Sequence, residues 1–222
     1  MRHSIADTVA ALRASLPEGV GLVAVSKFHP AEAIEEAYSA GQRIFGESRV
    51  QELVAKADAL PADIQWHMIG HLQTNKVKPL IGRVALIESV DSERLLELID
   101  RLSDEHGVVT RVLMQVHVAA EETKFGFTPD ELIDYFARRA YRNLRATHIC
   151  GVMGMATNTD DMTRVRADFE AIAGLRRRIA AMCDDLCGFD TVSMGMSDDY
   201  LTAIECGSTL VRIGSAIFGE RI

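Results

Sequence analysis

Across its 222 residues the chain passes eight times from a short apolar run to a polar or amphipathic stretch, and this alternation limits its fold more than any other feature. The runs lie near 20–26, 43–47, 64–69, 84–90, 111–118, 146–153, 189–194 and 209–214. Apolar runs of this length predict strands covered on both faces, as in a parallel sheet. Helical patterns fill the intervals. A leading amphipathic helix is predicted over 3–14. Pro30 is expected at the first-turn position of the next helix, where a missing N–H does no harm. Asp91-Ser92-Glu93 is expected to cap a helix through Leu95, Leu96, Leu98, Ile99 and Leu102. Thr128-Pro129-Asp130-Glu131 carries an N-cap, an N1 proline and first-turn acids that suit the helix dipole. The longest helix, about 160–183, places Met162, Val165, Phe169, Ile172, Ile179 and Met182 on one stripe, predicted to cover a sheet. Eight such units predict an α/β fold, the (β/α)8 TIM barrel, as a single domain over residues 1–222. An open doubly wound sheet is the alternative, but no glycine-rich dinucleotide fingerprint follows the first strand.

Bulk properties remove several function classes. A hydrophobic content of 48% with 25% charged residues is that of a globular chain. The formal net charge of −8 disfavours a nucleic-acid partner. The one triple basic run, Arg176–Arg178, lies in a helical pattern and reads as a solvated face. The N-terminus lacks an apolar signal core and no run reaches the length of a membrane span, so a soluble, cytoplasmic protein is expected, as a monomer. The four cysteines (Cys150, Cys183, Cys187 and Cys206) show no disulfide framework. Cys183 and Cys187 are expected on one helix face, and the four thiols are expected to be buried and free.

In a (β/α)8 barrel, functional groups collect at the C-terminal ends of the strands. Those ends here carry Lys27, Glu47, His67 with Gly70, Ser89 with Asp91, His117, Met153 with Gly154, Ser193 with Gly195, and Arg212 with Gly214. Lys27 ends the run Gly21–Ser26. A lysine there either reaches solvent or enters a pocket beyond the strand, where burial lowers its pKa and frees the amine for Schiff-base chemistry. After the seventh strand, Ser193-Met194-Gly195-Met196-Ser197-Asp198-Asp199 combines a turn glycine with Ser197 as an expected N-cap. Asp198 and Asp199 are expected to point outward. After the eighth strand, Arg212-Ile213-Gly214-Ser215 adds a second glycine and a hydroxyl. Barrels often build phosphate sites from these two loops. A Schiff-base lysine beside a phosphate site calls for a phosphorylated carbonyl compound, with pyridoxal 5'-phosphate (PLP) and a phosphosugar aldehyde as candidates.

The ordered segments Val23–Lys27, Phe45–Glu52, Trp66–Lys76, Lys124–Gly126, Gly151–Met153, Ser193–Ser197 and Arg212–Gly219 resemble the YggS/PROSC family of PLP homeostasis proteins along nearly the whole chain. The resemblance implies a barrel like the N-terminal domain of alanine racemase, a fold type III PLP protein, with PLP held on Lys27 as a Schiff base. It implies that Ser197, Gly214 and Ser215 hold the phosphate, and that Arg212 lies near the pyridine ring, where a cation disfavours protonation of the ring nitrogen. His67, Gly70 and Met153 are expected to line the pocket, together with Ser48, Ser193, Met196 and Ile213. The chain departs from the family pattern at four places: Ser48-Arg49 replaces a frequent Asn-Tyr, His71 a proline, His117 an asparagine, and Ser215 a threonine.

His67 and His71 have the four-residue spacing of a helical metal pair, but this segment ends a strand at a glycine and has no glutamate beside His67, so no metal is expected. Lys76 and Lys124 are candidate transient PLP or anion contacts, and also fit as solvated lysines. Three functions remain: a non-catalytic PLP carrier delivering cofactor to apo-enzymes, a PLP-dependent racemase, and a Schiff-base aldolase. Racemisation usually needs a second base, which two-domain racemases supply from another domain. The chain ends at Ile222, just past the last strand, and is expected to lack that domain. The first-strand position of Lys27 disfavours the aldolase. The carrier is the favoured expectation, with no catalytic residue assigned.

Overall fold

The computed structural model describes residues 4–119 and 125–219. Eight parallel strands close into a barrel in chain order: β1 (Gly21–Val25), β2 (Ile44–Glu47), β3 (Gln65–Met68), β4 (Leu86–Val90), β5 (Thr110–Val116), β6 (Thr147–Gly154), β7 (Thr191–Ser193) and β8 (Leu210–Ile213). Closure comes from β8 pairing with β1, in the register Gly21 to Leu210 and Val23 to Arg212. Around the barrel run α1 (Ile5–Ser15), α2 (Ala31–Ser39), α3 (Val50–Ala59), α4 (Glu93–His106), α5 (Pro129–Ala137), α6 (Met162–Met182), α7 (Tyr200–Glu205) and α8 (Ser215–Phe218). All eight predicted strands are present.

The period-two geometry of the strands divides the core into two shells. Outward-facing residues such as Leu22, Ala24, Phe45, Trp66, Ile87, Val112, Val152 and Ile213 pack beneath the helices in one large cluster. Inward-facing Val23, Leu86, Leu113, Cys150, Met153 and Leu210 form a small apolar cluster inside the barrel. Four inward polar side chains, His67, Glu88, Ser193 and Arg212, are also buried. Filling a barrel with charge is expensive unless each charge finds a partner, so these four side chains must satisfy one another.

Helix termini follow their local sequence with some corrections. Thr128 and Glu131 form a reciprocal capping box, with Pro129 in the first turn of α5. Ser92 caps α4 by accepting the Leu95 N–H. Pro30, expected inside the first turn of α2, is its N-cap. Met162, expected on the buried stripe of α6, is exposed at the helix start, whereas Val165, Phe169, Ile172 and Ile179 are buried. Cys183 caps the end of α6 and Cys187 lies beyond it, so the two share no helix face. Only Cys150 and Cys183 are buried; Cys187 is exposed and Cys206 half-buried. Among the described residues, no helix is long and apolar enough to cross a membrane.

Candidate functional site

At the C-terminal mouth of the barrel lies a cavity of about 500 Å³. Of the residues expected to form the site, it gathers Lys27, Ser48, Met196, Ser197, Arg212, Gly214 and Ser215. The half-buried Lys27 follows β1, Ser48 follows β2, and the others come from the ends of β7 and β8. Its wall also includes Val25, His29, Ile69, Met155, Asp198 and Gly219. His29 had a signal in the sequence, since it sits two residues past Lys27 in the same loop. Its ring stacks on Phe218 of α8 with centroids 5.0 Å apart, joining the first and last loops of the barrel.

Five expected site residues do not line the cavity. Met153 is packed in the inner apolar cluster, and Met155 takes the wall position because β6 runs on to Gly154. Ile213 faces the outer core, one step out of phase with Arg212. Gly70 instead lets the segment after β3 abut Ser48. A Cβ there would lie 2.4 Å from the Ser48 carbonyl oxygen, so only glycine permits the approach.

The other two, His67 and Ser193, belong to a polar chain under the cavity floor. His67 Nδ1 lies 2.6 Å from Glu88 Oε1, and the Ser193 hydroxyl donates to Glu88 Oε2 at 2.5 Å. Arg212 Nη1 donates to Ser193 Oγ at 2.6 Å, and its Nη2 donates to the Gly154 carbonyl at 3.0 Å. Arg212 Nη1 is 3.8 Å from Glu88 Oε2, so each buried charge has its counter-ion. Burial alone would raise the Glu88 carboxyl. The hydrogen bond and charge of His67, the Arg212 guanidinium and the Ser193 hydroxyl together hold it below the usual carboxylate value. An ionised carboxylate only accepts, which assigns the proton on Nδ1 to His67. For Arg212, burial wins over the attraction of Glu88 and Asp199 and lowers the guanidinium below its ordinary value.

The loops after β7 and β8 meet, but not in the expected way. The N-cap of α7 is Asp199, not Ser197. Asp199 Oδ1 accepts the Met196 N–H at 2.6 Å, which closes the loop on itself. Gly195, at φ +92°, makes the turn, and a Cβ there would sit 2.5 Å from that of Ala203. Ser197 Oγ accepts the Ala216 N–H at 3.5 Å, bridging to the start of α8. Asp198 and Asp199 do not both point outward: Asp198 is in the cavity wall, and partial burial raises the Asp199 carboxyl.

Away from the cavity, the two spaced histidines diverge. His67 points into the barrel, while His71 Nδ1 pairs with Asp91 at 2.8 Å and its ring stacks on Phe125 at 3.7 Å. Among the described residues no cluster of metal-ligating side chains occurs. Lys76 is half-buried in a short 3₁₀ turn, and Lys124 lies outside the described residues.

The arrangement is an amine, a guanidinium and three serine residues around one cavity at the end of a closed parallel barrel. Residues 2–222 match the family described as alanine racemase, N-terminal domain. The alanine racemase of E. faecalis shares the fold at a TM-score of 0.74 and 21% identity, covering 97% of this chain and 57% of that one. PipY of Synechococcus elongatus with PLP bound superposes at a TM-score of 0.90 with 37% identity, over 97% of this chain and all of that one. The pyridoxal phosphate homeostasis protein of Aquifex aeolicus is 39% identical over 201 residues, which is 90% of this chain and 86% of that protein. The one from Schizosaccharomyces pombe is 37% identical over 203 residues, 90% and 84% respectively. The chain belongs to the pyridoxal phosphate homeostasis protein family.

Proposed function

We propose that this chain binds PLP in the cavity at the barrel mouth, holds it on Lys27 and releases it to PLP-dependent apo-enzymes without turnover of its own. The observation that carries this reading is the placement of Lys27 in one cavity with Arg212, Ser197, Gly214 and Ser215. The residues fit the group. A half-buried amine suits an aldehyde, the serine hydroxyls and the turn at Gly214 suit a phosphate, and a fixed guanidinium suits the ring edge. Asp198 is the acidic residue of the wall, and its charge favours a phosphate held toward Ser215 and the β8 end. PLP, when bound, supplies an electrophilic aldehyde on a ring able to accept electrons. Arg212, kept cationic by Glu88, opposes protonation of the ring nitrogen and so restrains that second property. The Lys27 amine condenses with the aldehyde with loss of one water, and reversal by water or by a recipient's lysine returns the cofactor.

The test is spectroscopic and chemical. The purified protein should be yellow, and borohydride followed by peptide mass analysis should find the pyridoxyl group on Lys27. Lys27→Ala should abolish that fixation. A protein that takes up no PLP sinks the proposal.

A second reading rests on His29, whose ring is in the wall two residues from Lys27: proton transfer at the α-carbon of an amino acid, as a racemase performs. Exchange of that proton in deuterated water separates the two. The carrier reading requires no turnover, whereas rapid exchange abolished by His29→Ala would establish the second.

A further inference from the structure

Lys27 occupies the second position of a β-turn. The Ser26 carbonyl accepts the His29 N–H at 3.0 Å. Lys27 keeps a negative φ, and Phe28 adopts +69°. This is the type II pattern, whose third position is normally glycine because an L side chain there crowds the backbone. A phenylalanine in that position is strained, so contacts outside the turn must hold it.

Those contacts come from α3. Glu52 Oε1 accepts the Phe28 N–H at 2.7 Å. Glu52 Oε1 also takes a hydrogen bond from Lys56 Nζ at 2.7 Å. Lys56 Nζ donates in addition to the Ser26 carbonyl at 2.9 Å and to Glu47 Oε1 at 2.7 Å. The Ser26 hydroxyl donates to the same Glu47 oxygen at 2.6 Å. The residues on both sides of Lys27 are therefore tied, through main chain and side chain, to a largely buried ion cluster formed by Glu47 at the end of β2 and by Glu52 and Lys56 on α3. The Arg49 guanidinium covers the Phe28 ring at 4.7 Å. Glu52 and Lys56 do not line the cavity; their contacts with the segment around Lys27 are made to the main chain of the turn.

We infer that Glu52 and Lys56 are positioning residues that lock the 26–29 turn and present the Lys27 amine to the aldehyde of the cofactor. The inference rests on the PLP reading and says which of the chain's residues make Lys27 competent within it. Without the lock, the turn can relax from its left-handed residue and the amine swings away, while the phosphate contacts after β7 and β8 stay as they are.

The experiment compares PLP with pyridoxine 5'-phosphate, which has the same ring and phosphate but no aldehyde. Both are titrated into the wild-type protein, Glu52→Ala and Glu52→Gln, each with Lys27 present and as Lys27→Ala. Loss of the charge-assisted hydrogen bond to the Phe28 N–H should weaken PLP binding about tenfold in Glu52→Ala, and roughly threefold in Glu52→Gln, which keeps an acceptor oxygen. Pyridoxine 5'-phosphate should change less than about twofold, and the Glu52 effects should vanish in the Lys27→Ala background. Equal weakening of both ligands, persistence of the effect without Lys27, or unchanged PLP affinity would each overturn the inference. If Glu52→Ala does not fold, the shape-conserving Glu52→Gln decides by the same criteria. A wild-type protein that takes up no PLP instead refutes the parent reading, so the two failures are distinguishable.

Discussion

The two sides of the cavity are held by buried charge in different ways. On the Arg212 side, the polar chain lies inside the barrel, and its members come from β3, β4, β7 and β8. On the Lys27 side, the cluster lies between the sheet and α3, and its members fall within residues 26–56. The first cluster is balanced, with the Glu88 carboxylate opposed by Arg212 and bonded on both oxygens. The second is not: two carboxylates share one lysine, and Glu47 Oε2 is buried without a partner among the described residues. A balanced interior network suits a fixed charge. An unbalanced one beneath a strained turn suits a residue that must be aimed.

The largest expected effect breaks the balanced side. Glu88→Ala leaves a buried guanidinium without its counter-ion and removes the acceptor of both His67 and Ser193. Removing one partner of a buried ion pair costs about 3–5 kcal/mol, read as a fall in the unfolding free energy in urea. Lys56→Met, on the other side, leaves two carboxylates that relieve their repulsion when Glu47 takes up a proton, and should cost less, about 1–3 kcal/mol. A larger loss from Lys56→Met than from Glu88→Ala would reverse the comparison.

Much of this architecture was legible in the chain, and the reason is locality. Each strand is a short apolar run and each helix a periodic stretch, so all eight units were readable. Lys27 was visible because a lysine ending a buried strand must go somewhere specific. The Glu88 network was not visible, because its four residues are spread from 67 to 212 and meet only when the barrel closes. Glu52 and Lys56 have the i,i+4 spacing of an ordinary helical ion pair, and nothing local announces that they also hold the main chain on either side of Lys27. Ser197 was misassigned as a cap because Asp199, two residues later, is an equally good N-cap, and closing the loop onto the Met196 N–H decides between them. Met153 and Met155 differ by one strand period, and the length of β6 determines which one reaches the wall.

Acid titration gives an intermediate effect that sharpens the contrast, because the two buried glutamates shift in opposite directions. Burial, partly offset by Lys56 and Ser26, raises the Glu47 carboxyl above its ordinary value. The folded state then binds a proton more readily than the unfolded one, so stability is fully present below the ordinary carboxyl range and is lost as pH rises through the raised value. Glu88 is lowered, so its contribution is present above the ordinary range and disappears as pH falls through the depressed value. On acidification from neutrality, the Lys27 side should gain stability first and the Arg212 side should lose it later. Urea midpoints measured against pH should show Glu47→Gln removing the early gain and Glu88→Gln removing part of the late loss. An early gain that survives Glu47→Gln would place its origin elsewhere.

The smallest expected effect falls on the turn itself. Phe28→Gly relieves a left-handed L residue, worth about 1–2 kcal/mol, but gives up the contact with Arg49, worth about 0.5–1 kcal/mol at an exposed site, and frees the unfolded chain, which costs about 0.4–1 kcal/mol. These terms nearly cancel, so unfolding free energy should change by less than about 1 kcal/mol. Retention of PLP should nevertheless fall, because glycine at this position widens the conformations open to the turn and so the orientations open to Lys27. A stable Phe28→Gly protein that holds PLP as tightly as the wild type would show that the α3 cluster alone aims the lysine. A loss of several kcal/mol would instead make Phe28 a packing residue, and the strain at φ +69° would then be a consequence of that packing rather than of presenting Lys27.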